Sequence, residues 1–213
     1  MVRSRPSVDP MGIVRVSASV SLDGFSAGPD TSEAAPLGVG GERLHRWLFP
    51  EGGDRDVAAD GTTPAGADAA VATEAFVRTG AVVVGRRTYD VGVELWRDTP
   101  FPVPTFVVTH RAHPPRAMPS AGFTFVTDGI ASAVAQARQA AGEREVLVMG
   151  GADVTRQALA EGLVDEITLN LVPVLLHRGE RLLDVDGTQT TELVRTGLVA
   201  TDEATHLTFR VVR

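Results

Sequence analysis

The 213-residue sequence contains no cysteine, which excludes disulfides, thiolate metal sites and cysteine nucleophiles. Its apolar runs, such as residues 81–84, are far shorter than the roughly 20 residues that a membrane-spanning helix needs. The formal net charge is −7, and an acidic surface disfavours binding to the phosphate backbone of nucleic acids. We therefore expect a cytoplasmic protein that binds a small molecule and has no nucleic-acid or membrane partner.

The N-terminus carries Arg3 and Arg5 without an apolar stretch behind them, which is not the pattern of a secretory signal. Met11 could itself be a start. We expect residues 1–11 to be a disordered extension or an expression remnant. Residues 12–213 are expected to form one domain, since this length lies within the single-domain range.

Periodicity in the sequence predicts an α/β fold. Residues 13–22 alternate between apolar and polar side chains, as in a strand with one covered face. Buried strands are expected at 81–85, 104–109, 123–127 and 145–149, a long strand at 166–176, and a final hairpin at 191–199 and 205–212. Helices are expected at 42–49, 67–78 (with Gly80 as its stop), 130–141 and 154–160, and loops at 26–41 and 50–66. Strands that alternate with helices predict a mostly parallel sheet with helices on both faces and a C-terminal antiparallel hairpin.

The first candidate binding motif is the turn after the strand at 145–149. Gly150 and Gly151 end this strand and a helix follows at once through Ala152, Asp153, Val154 and Thr155. Glycines let a ligand approach the backbone, and the amides at a helix start bind anions such as a diphosphate. The alternative is an ordinary strand-to-helix turn that Asp153 caps.

The second motif follows the strand at 81–85 and consists of Gly85, Arg86, Arg87 and Thr88. Guanidinium groups bind phosphate through paired hydrogen bonds, and a hydroxyl adds another. The alternative is that both arginines are solvated residues at the start of a helix.

A third polar cluster, Thr109, His110 and Arg111, follows the strand at 104–109. Because ligands of α/β sheets bind outside the carboxyl ends of the strands, three such clusters at one edge predict a bound dinucleotide. The Gly-x-Gly-x-x-Gly sequence of Rossmann domains is absent after the first strand.

Asp23 stands at the end of the first strand, where it could orient a substrate or handle a proton. The alternative is a tight turn, which favours Asp23-Gly24 for its backbone alone. The five histidines lack metal-ligand spacing, so no metal site is predicted.

These motifs together resemble the dihydrofolate reductase superfamily, and within it the reductase domain of the bifunctional riboflavin-biosynthesis deaminase-reductase. The resemblance runs from about residue 13 to the C-terminus. It rests on the sequences Ser-Leu-Asp-Gly at 21–24, Val-Gly-Arg-Arg-Thr-Tyr at 84–89, Met-Gly-Gly-Ala at 149–152, Leu-Val-Asp-Glu-Ile-Thr-Leu at 163–169, and the segment 172–182.

The resemblance implies a three-layer fold of the dihydrofolate reductase type and NADPH-linked hydride transfer to a small pterin- or pyrimidine-like heterocycle. It assigns cofactor phosphates to residues 85–88 and 150–155, and the adenosine 2′-phosphate to the neighbourhood of residues 109–111. Asp23 would line the substrate side. Because members of the riboflavin branch pair through their sheets, the resemblance also implies a homodimer.

The sequence departs from the riboflavin reductases at two places. Ser17 stands where they usually carry a lysine, and residues 89–96 lack their Asp-Asp-Pro motif. Glu42 is a poor match to the acid that folate reductases place in their first helix. Three alternatives therefore stay open: the riboflavin-pathway 5-amino-6-(5-phosphoribosylamino)uracil reductase, dihydrofolate reductase, and a non-catalytic nucleotide-binding protein.

Overall fold

The computed structural model of the chain describes residues 12–49, 66–183 and 190–213. The predicted N-terminal extension and nearly all of the predicted loop at 50–66 lie outside these ranges. Within them, no helix is long and apolar enough to cross a membrane.

A nine-stranded sheet forms the centre of the molecule, with the strand order β10-β11-β8-β1-β7-β3-β4-β6-β5. The strands from β8 through β6 in this order are parallel neighbours, while β5, β11 and β10 run antiparallel to theirs. The bounds of the nine are β1 Val14–Ser21, β3 Thr79–Gly85, β4 Thr105–Val108, β5 Arg116–Ala117, β6 Gly122–Val126, β7 Glu145–Gly150, β8 Glu166–Val172, β10 Leu193–Ala200 and β11 Thr205–Val211. Two further short strands, β2 Phe25–Ala27 and β9 Glu180–Arg181, pair with each other.

Helices cover both faces of the sheet, which confirms the predicted layered α/β fold. They are α1 Ala67–Arg78, α2 Arg86–Trp96, α3 Ile130–Ala141 and α4 Ala152–Ala160. An apolar core packs α3 and α4 against one face, and two other apolar clusters pack α2 and α1 against the opposite face. We call the face under α1 and α2 the cleft face. The predicted C-terminal hairpin is present as β10 and β11.

The segment predicted as a helix at 42–49 is instead a 3-10 helix, Gly41–His45, followed by turns. The strand predicted at 166–176 ends at Val172, because Pro173 cannot donate to a ladder. Gly80 does not stop a helix but lies inside β3. A Cβ there would stand 2.6 Å from the Cβ of Arg144, so the close approach of that chain segment requires glycine.

Most polar side chains of β1 are buried, which the sequence pattern did not predict. Its alternation indicated one covered face and one polar face, yet β1 is a central strand with helices on both sides. Arg15 is only 2% exposed, and Ser19 and Ser21 are buried as well. A polar row therefore lies in the interior, on the cleft face.

Candidate active site at the carboxyl edge of the sheet

The sequence-predicted site residues meet at one edge of the sheet. Strands β1, β7, β3 and β4 are consecutive and parallel, so their carboxyl ends lie side by side. Gly150 and Gly85 are the last residues of β7 and β3, while Asp23 and Thr109 follow the ends of β1 and β4. The structure thus brings together the four segments that the sequence analysis selected.

The two glycine turns touch each other. A Cβ on Gly85 would lie 3.0 Å from Cγ2 of Val154 and 3.7 Å from the amide nitrogen of Gly151. A Cβ on Gly151 would lie 3.3 Å from Oγ1 of Thr88. Gly150 has a φ of 141°, which favours glycine. The missing side chains therefore let the starts of α2 and α4 approach each other closely.

Both helices begin without a side-chain cap. Gly85 precedes α2 and Gly151 precedes α4, and neither helix start has a side-chain hydrogen bond to its amides. Such a start carries unpaired N–H groups and a partial positive charge. Two of them side by side form an anion site of the kind that a diphosphate fits.

The two arginines of α2 point to different sides of this anion site. Arg86 donates from Nε to Oδ1 of Asp90 at 2.8 Å, and its Nη1 lies 2.6 Å from Nε2 of His113. Arg87 is 64% exposed and contacts Thr31 and Glu180 instead. The guanidinium groups therefore flank the edge from opposite directions. His113 is a neighbour that the sequence analysis did not select, because it lies four residues beyond Thr109.

The remaining predicted residues differ in what they can offer a ligand. Thr109 is buried, and its Oγ1 accepts a hydrogen bond from the Arg111 amide at 3.1 Å, so its side chain holds the turn. His110 and Arg111 are exposed. The side chains of Ala152, Val154 and Thr155 are buried, and Asp153 accepts a hydrogen bond from Gln157. Ala152 and Val154 can therefore offer a ligand only their backbone amides, whereas the amide of Thr155 already donates to the carbonyl of Gly151 at 3.1 Å.

The carboxylate of Asp23 accepts hydrogen bonds from three neighbouring groups. Oδ1 accepts from Ser21 Oγ at 2.6 Å and from the Leu176 amide at 3.1 Å, while Oδ2 accepts from the His177 amide. The Ser21 hydrogen bond, with the two amides, lowers the pKa of Asp23 to about 2 despite the opposing effect of desolvation. The carboxylate is therefore ionised near neutral pH and suited to orientation more than to proton donation.

The polar row of the cleft face was not selected as a site from the sequence. Ser17 pairs with Thr168 and Ser19 with Asn170 across β1 and β8, and Asn170 pairs with His206 on β11. Trp47 donates to Ser19 Oγ at 2.9 Å. The available signal was that polar residues alternate along the first strand of a sheet that was predicted to have helices on both faces.

His206 anchors the first turn of α1 to this row. Its Nε2 lies 2.7 Å from Oδ1 of Asp68, and its Nδ1 lies 2.7 Å from Oδ1 of Asn170. Thr201 donates to Asp68 as well, and the ring of Trp47 packs edge-on against the imidazole. In the part of the chain that the structure describes, no group of three His, Asp or Glu residues could hold a metal ion.

A comparison of the sequence with known protein families identifies the family of the chain. The model of the RibD C-terminal domain matches residues 13–207. The chain belongs to this family. It therefore lies in the branch of the dihydrofolate reductase superfamily that its motifs indicated.

Solved structures with the same fold include a protein from Shewanella sp. PV-4 named for riboflavin biosynthesis. It is 21% identical, with a TM-score of 0.63, and the match covers 94% of this chain and 99% of that one. Dihydrofolate reductase from Enterococcus faecalis, complexed with NADP(H) and RAB-propyl, is 13% identical with a TM-score of 0.56, covering 94% and 97%. RibD from Acinetobacter baumannii is 15% identical with a TM-score of 0.57, covering 96% of this chain and 59% of that protein. No curated protein matches in sequence. Family and fold together support a reductase of the RibD and dihydrofolate reductase type.

Proposed function

We propose that the protein is an NADPH-dependent reductase that transfers a hydride to a small pterin- or pyrimidine-like heterocycle. The observation that carries this proposal is the pair of uncapped helix starts that meet at Gly85 and Gly151, with Arg86 and Arg87 on either side. A dinucleotide offers a diphosphate for such a site.

The residues present fit this cofactor. The amides that begin α2 and α4 would hold the diphosphate, and the space that side chains at Gly150 and Gly151 would fill admits it close to the backbone. His110 and Arg111, both exposed beside the end of β4, would meet the further phosphate that distinguishes NADPH from NADH. When bound, NADPH would supply the hydride, while the protein orients the two reactants.

Asp23 contributes to the substrate side of the edge as an orienting residue in this proposal. Its carboxylate ties the end of β1 to residues 176 and 177, which fixes the position of the loop after β8. The low pKa of Asp23 means that it holds no proton to give near neutral pH. A catalytic role for Asp23 stays a prediction.

The three alternative functions can be distinguished by their substrates. Ser17 in place of a lysine disfavours the riboflavin-pathway substrate, and the family match favours it. The NADP(H)-bound Enterococcus faecalis neighbour favours the nucleotide assignment and, with it, a folate-type substrate. Turnover of a pyrimidine or a dihydropterin separates these two, and nucleotide binding without turnover of either would indicate the non-catalytic protein.

The direct test is titration of the purified protein with NADPH and with NADH, followed by nicotinamide fluorescence. We expect micromolar binding of NADPH, much weaker binding of NADH, and a loss of about tenfold or more for Arg86→Ala and for Arg87→Ala, because a charged hydrogen bond contributes about 1.5–3 kcal/mol. Arg210→Ala removes an exposed arginine on β11, opposite the start of β8, and is the matched control. Absence of binding by either nucleotide would contradict the proposal.

A further inference from the structure

A histidine at the cofactor edge, His113, has no role in the function proposed above. It lies four residues beyond Thr109, which directly follows β4. Arg86 is the first residue of α2 and directly follows the neighbouring parallel strand β3. Nη1 of Arg86 lies 2.6 Å from Nε2 of His113, so groups from two adjacent strand ends are in direct contact. We call them the Arg86–His113 pair.

This contact defines the protonation state of the imidazole. A guanidinium group only donates hydrogen bonds, so Nε2 of His113 must accept the one from Arg86. The imidazole is therefore neutral in this structure. A proton on Nε2 would remove the hydrogen bond and place two cations side by side. Such an arrangement is favourable only when an anion binds between them.

Arg86 is held by its neighbours and still has a donor to offer. Its Nε donates to Asp90 at 2.8 Å, one turn further along α2. Its guanidinium carbon lies 5.8 Å from the ring centroid of Tyr89 and 5.9 Å from that of Phe125. Its second amino group, Nη2, makes no hydrogen bond with any residue that the structure describes. A phosphate oxygen can bind this group without displacing Asp90.

The imidazole of His113 is positioned as well. Its ring packs against Phe125 with 5.1 Å between the centroids. Pro114 and Pro115 follow it and restrict the backbone of this segment. His113 is exposed, so it exchanges protons with solvent.

The charges around the Arg86–His113 pair leave a protonated His113 without an acid of its own. Within the described ranges no carboxylate contacts the imidazole, and β6 contributes the aromatic ring of Phe125 to its surroundings. The nearby charged and titratable groups are Asp90 and Glu94 on α2, Arg116 on β5, and His110 and Arg111 in the preceding turn. Asp90 binds Arg86, and Glu94 binds Arg116. A protonated His113 would therefore be available to an anionic ligand.

We propose that His113 takes up a proton when NADPH binds and, with Arg86, binds the adenosine 2′-phosphate, so that the preference for NADPH over NADH depends on pH. This inference rests on the proposed reductase function and adds a specificity-determining residue to it. A dianionic phosphate would replace the hydrogen bond within the pair by a charged hydrogen bond to each member. The proton comes from solvent and no covalent bond changes. NADH lacks this phosphate, so its binding leaves the pair as it is.

Calorimetric titration in two buffers of different ionisation enthalpy measures the protons that accompany binding. At about pH 7 we expect a net uptake of up to about one proton with NADPH and none with NADH. His113→Gln keeps an acceptor for Arg86 but binds no proton, so it should lose this uptake. His177→Gln, at another exposed histidine, is the matched control and should retain it.

The affinity for NADPH gives a second readout. Between about pH 8 and about pH 6, the ratio of the NADPH Kd of His113→Gln to that of the wild type should rise about tenfold, the effect of one charged hydrogen bond. Use of this ratio removes the titration of the phosphate itself, whose second pKa is about 6. His113→Lys carries a permanent cation and should bind NADPH tightly across this range without proton uptake.

NADPH binding with the same proton balance in the wild type and in His113→Gln would overturn this inference and leave the reductase function intact. Binding of neither nucleotide would contradict the reductase function. In that event adenosine 2′-monophosphate tests the pair directly, with adenosine 5′-monophosphate as its control. Proton uptake with the 2′-phosphate alone would support the role of His113, and equal proton balance with both would overturn it.

Discussion

Oδ2 of Asp23 accepts a 2.8 Å hydrogen bond from the backbone amide of His177, which lies 154 residues further along the chain. The same carboxylate accepts from Leu176 and Ser21, and Arg181 donates to the Asp23 carbonyl. One acidic side chain thus joins the end of β1 to the segment between β8 and β9. Arg181 in turn lies over the ring of Phe25, 4.5 Å from its centroid, which closes the connection to β2.

Replacement of Asp23 by alanine should therefore release this segment and leave the cofactor site in place. We expect a lower melting temperature at pH 7, a raised KM for the heterocycle and an unchanged affinity for NADPH. The contribution of Asp23 to stability is present above its unfolded pKa of 3.8 and is lost as the pH falls toward 2, because its folded pKa is depressed. Scanning calorimetry across pH 2–7 measures this, with Asp202→Ala, at an exposed acid, as the control. A variant with normal KM and stability would contradict the positioning role.

Part of this architecture could be predicted from the sequence alone. Continuous β-branched runs such as 81–85 gave strands buried on both faces, because only covered strands tolerate such runs. The helix predicted at 130–141 is α3 with the same bounds, and it ends before Gly142, whose φ of 62° favours glycine. The order of strands and helices then fixed which strand ends share an edge, and the candidate residues followed.

Other features depend on contacts that no local pattern reveals. A helix that starts at Arg86 and Arg87 was considered only as the alternative to a phosphate motif, and its extent to Trp96 was not predicted. The buried state of Arg15 depends on Glu145, which is 130 residues away. The polar row of the cleft face requires residues of β1, β8 and β11 to lie side by side, which only the tertiary pairing establishes.

The contact between the two glycine turns can be tested by Gly85→Ala. The new Cβ would lie 3.0 Å from Cγ2 of Val154, so the starts of α2 and α4 must separate. We expect a stability cost of about 1–3 kcal/mol and a weaker affinity for NADPH. Val154→Ala removes the opposing methyl groups, and the double variant should recover much of the affinity. Equal NADPH binding by Gly85→Ala and wild type would show that the turns do not need their close contact.

His45 should make stability depend on pH in the acidic range. Part of the residue reaches the surface, but its Nδ1 is enclosed and has no hydrogen-bond partner in the described part of the chain. Desolvation by burial lowers the pKa of His45 to about 4 from the usual 6.5. The unfolded chain therefore binds a proton more readily, and stability is lost as the pH falls from 6.5 toward 4.

The size of the His45 effect is at most about 3 kcal/mol, since each pKa unit corresponds to about 1.4 kcal/mol. Urea unfolding at pH 7 and pH 4.5 measures it. His45→Gln should remove this part of the pH dependence, and His110→Gln, at an exposed histidine, should retain it. The same slope in His45→Gln as in the wild type would assign the effect to other groups.

The contact between His206 and Asp68 should stabilise the packing of α1 against the sheet. Removal of one partner of a buried pair leaves the other without compensation, so His206→Leu should cost about 3 kcal/mol of unfolding free energy. Asp68→Asn keeps a hydrogen-bond acceptor and should cost only about 1 kcal/mol. In the double variant the two costs should differ from their sum by at least ~1 kcal/mol, because the residues are in direct contact. Additive costs in urea unfolding would show that the pair makes no coupled contribution.

We propose that two copies of the protein pair through β10. This strand is an edge of the sheet and exposes apolar side chains, among them Val194 at 43% and Leu198 at 52%. Exposed apolar edge strands are templates for pairing with another chain, and the family resemblance implies a homodimer. Val194→Lys and Leu198→Lys should each raise the dimer Kd about tenfold or more, because a buried apolar side chain contributes about 1.5–3 kcal/mol. Val39→Lys places the same charge at an apolar residue with 65% exposure away from the sheet edge, and it should leave the dimer intact in sedimentation equilibrium. A monomeric wild-type protein, or equal effects of the three lysines, would contradict pairing through this strand.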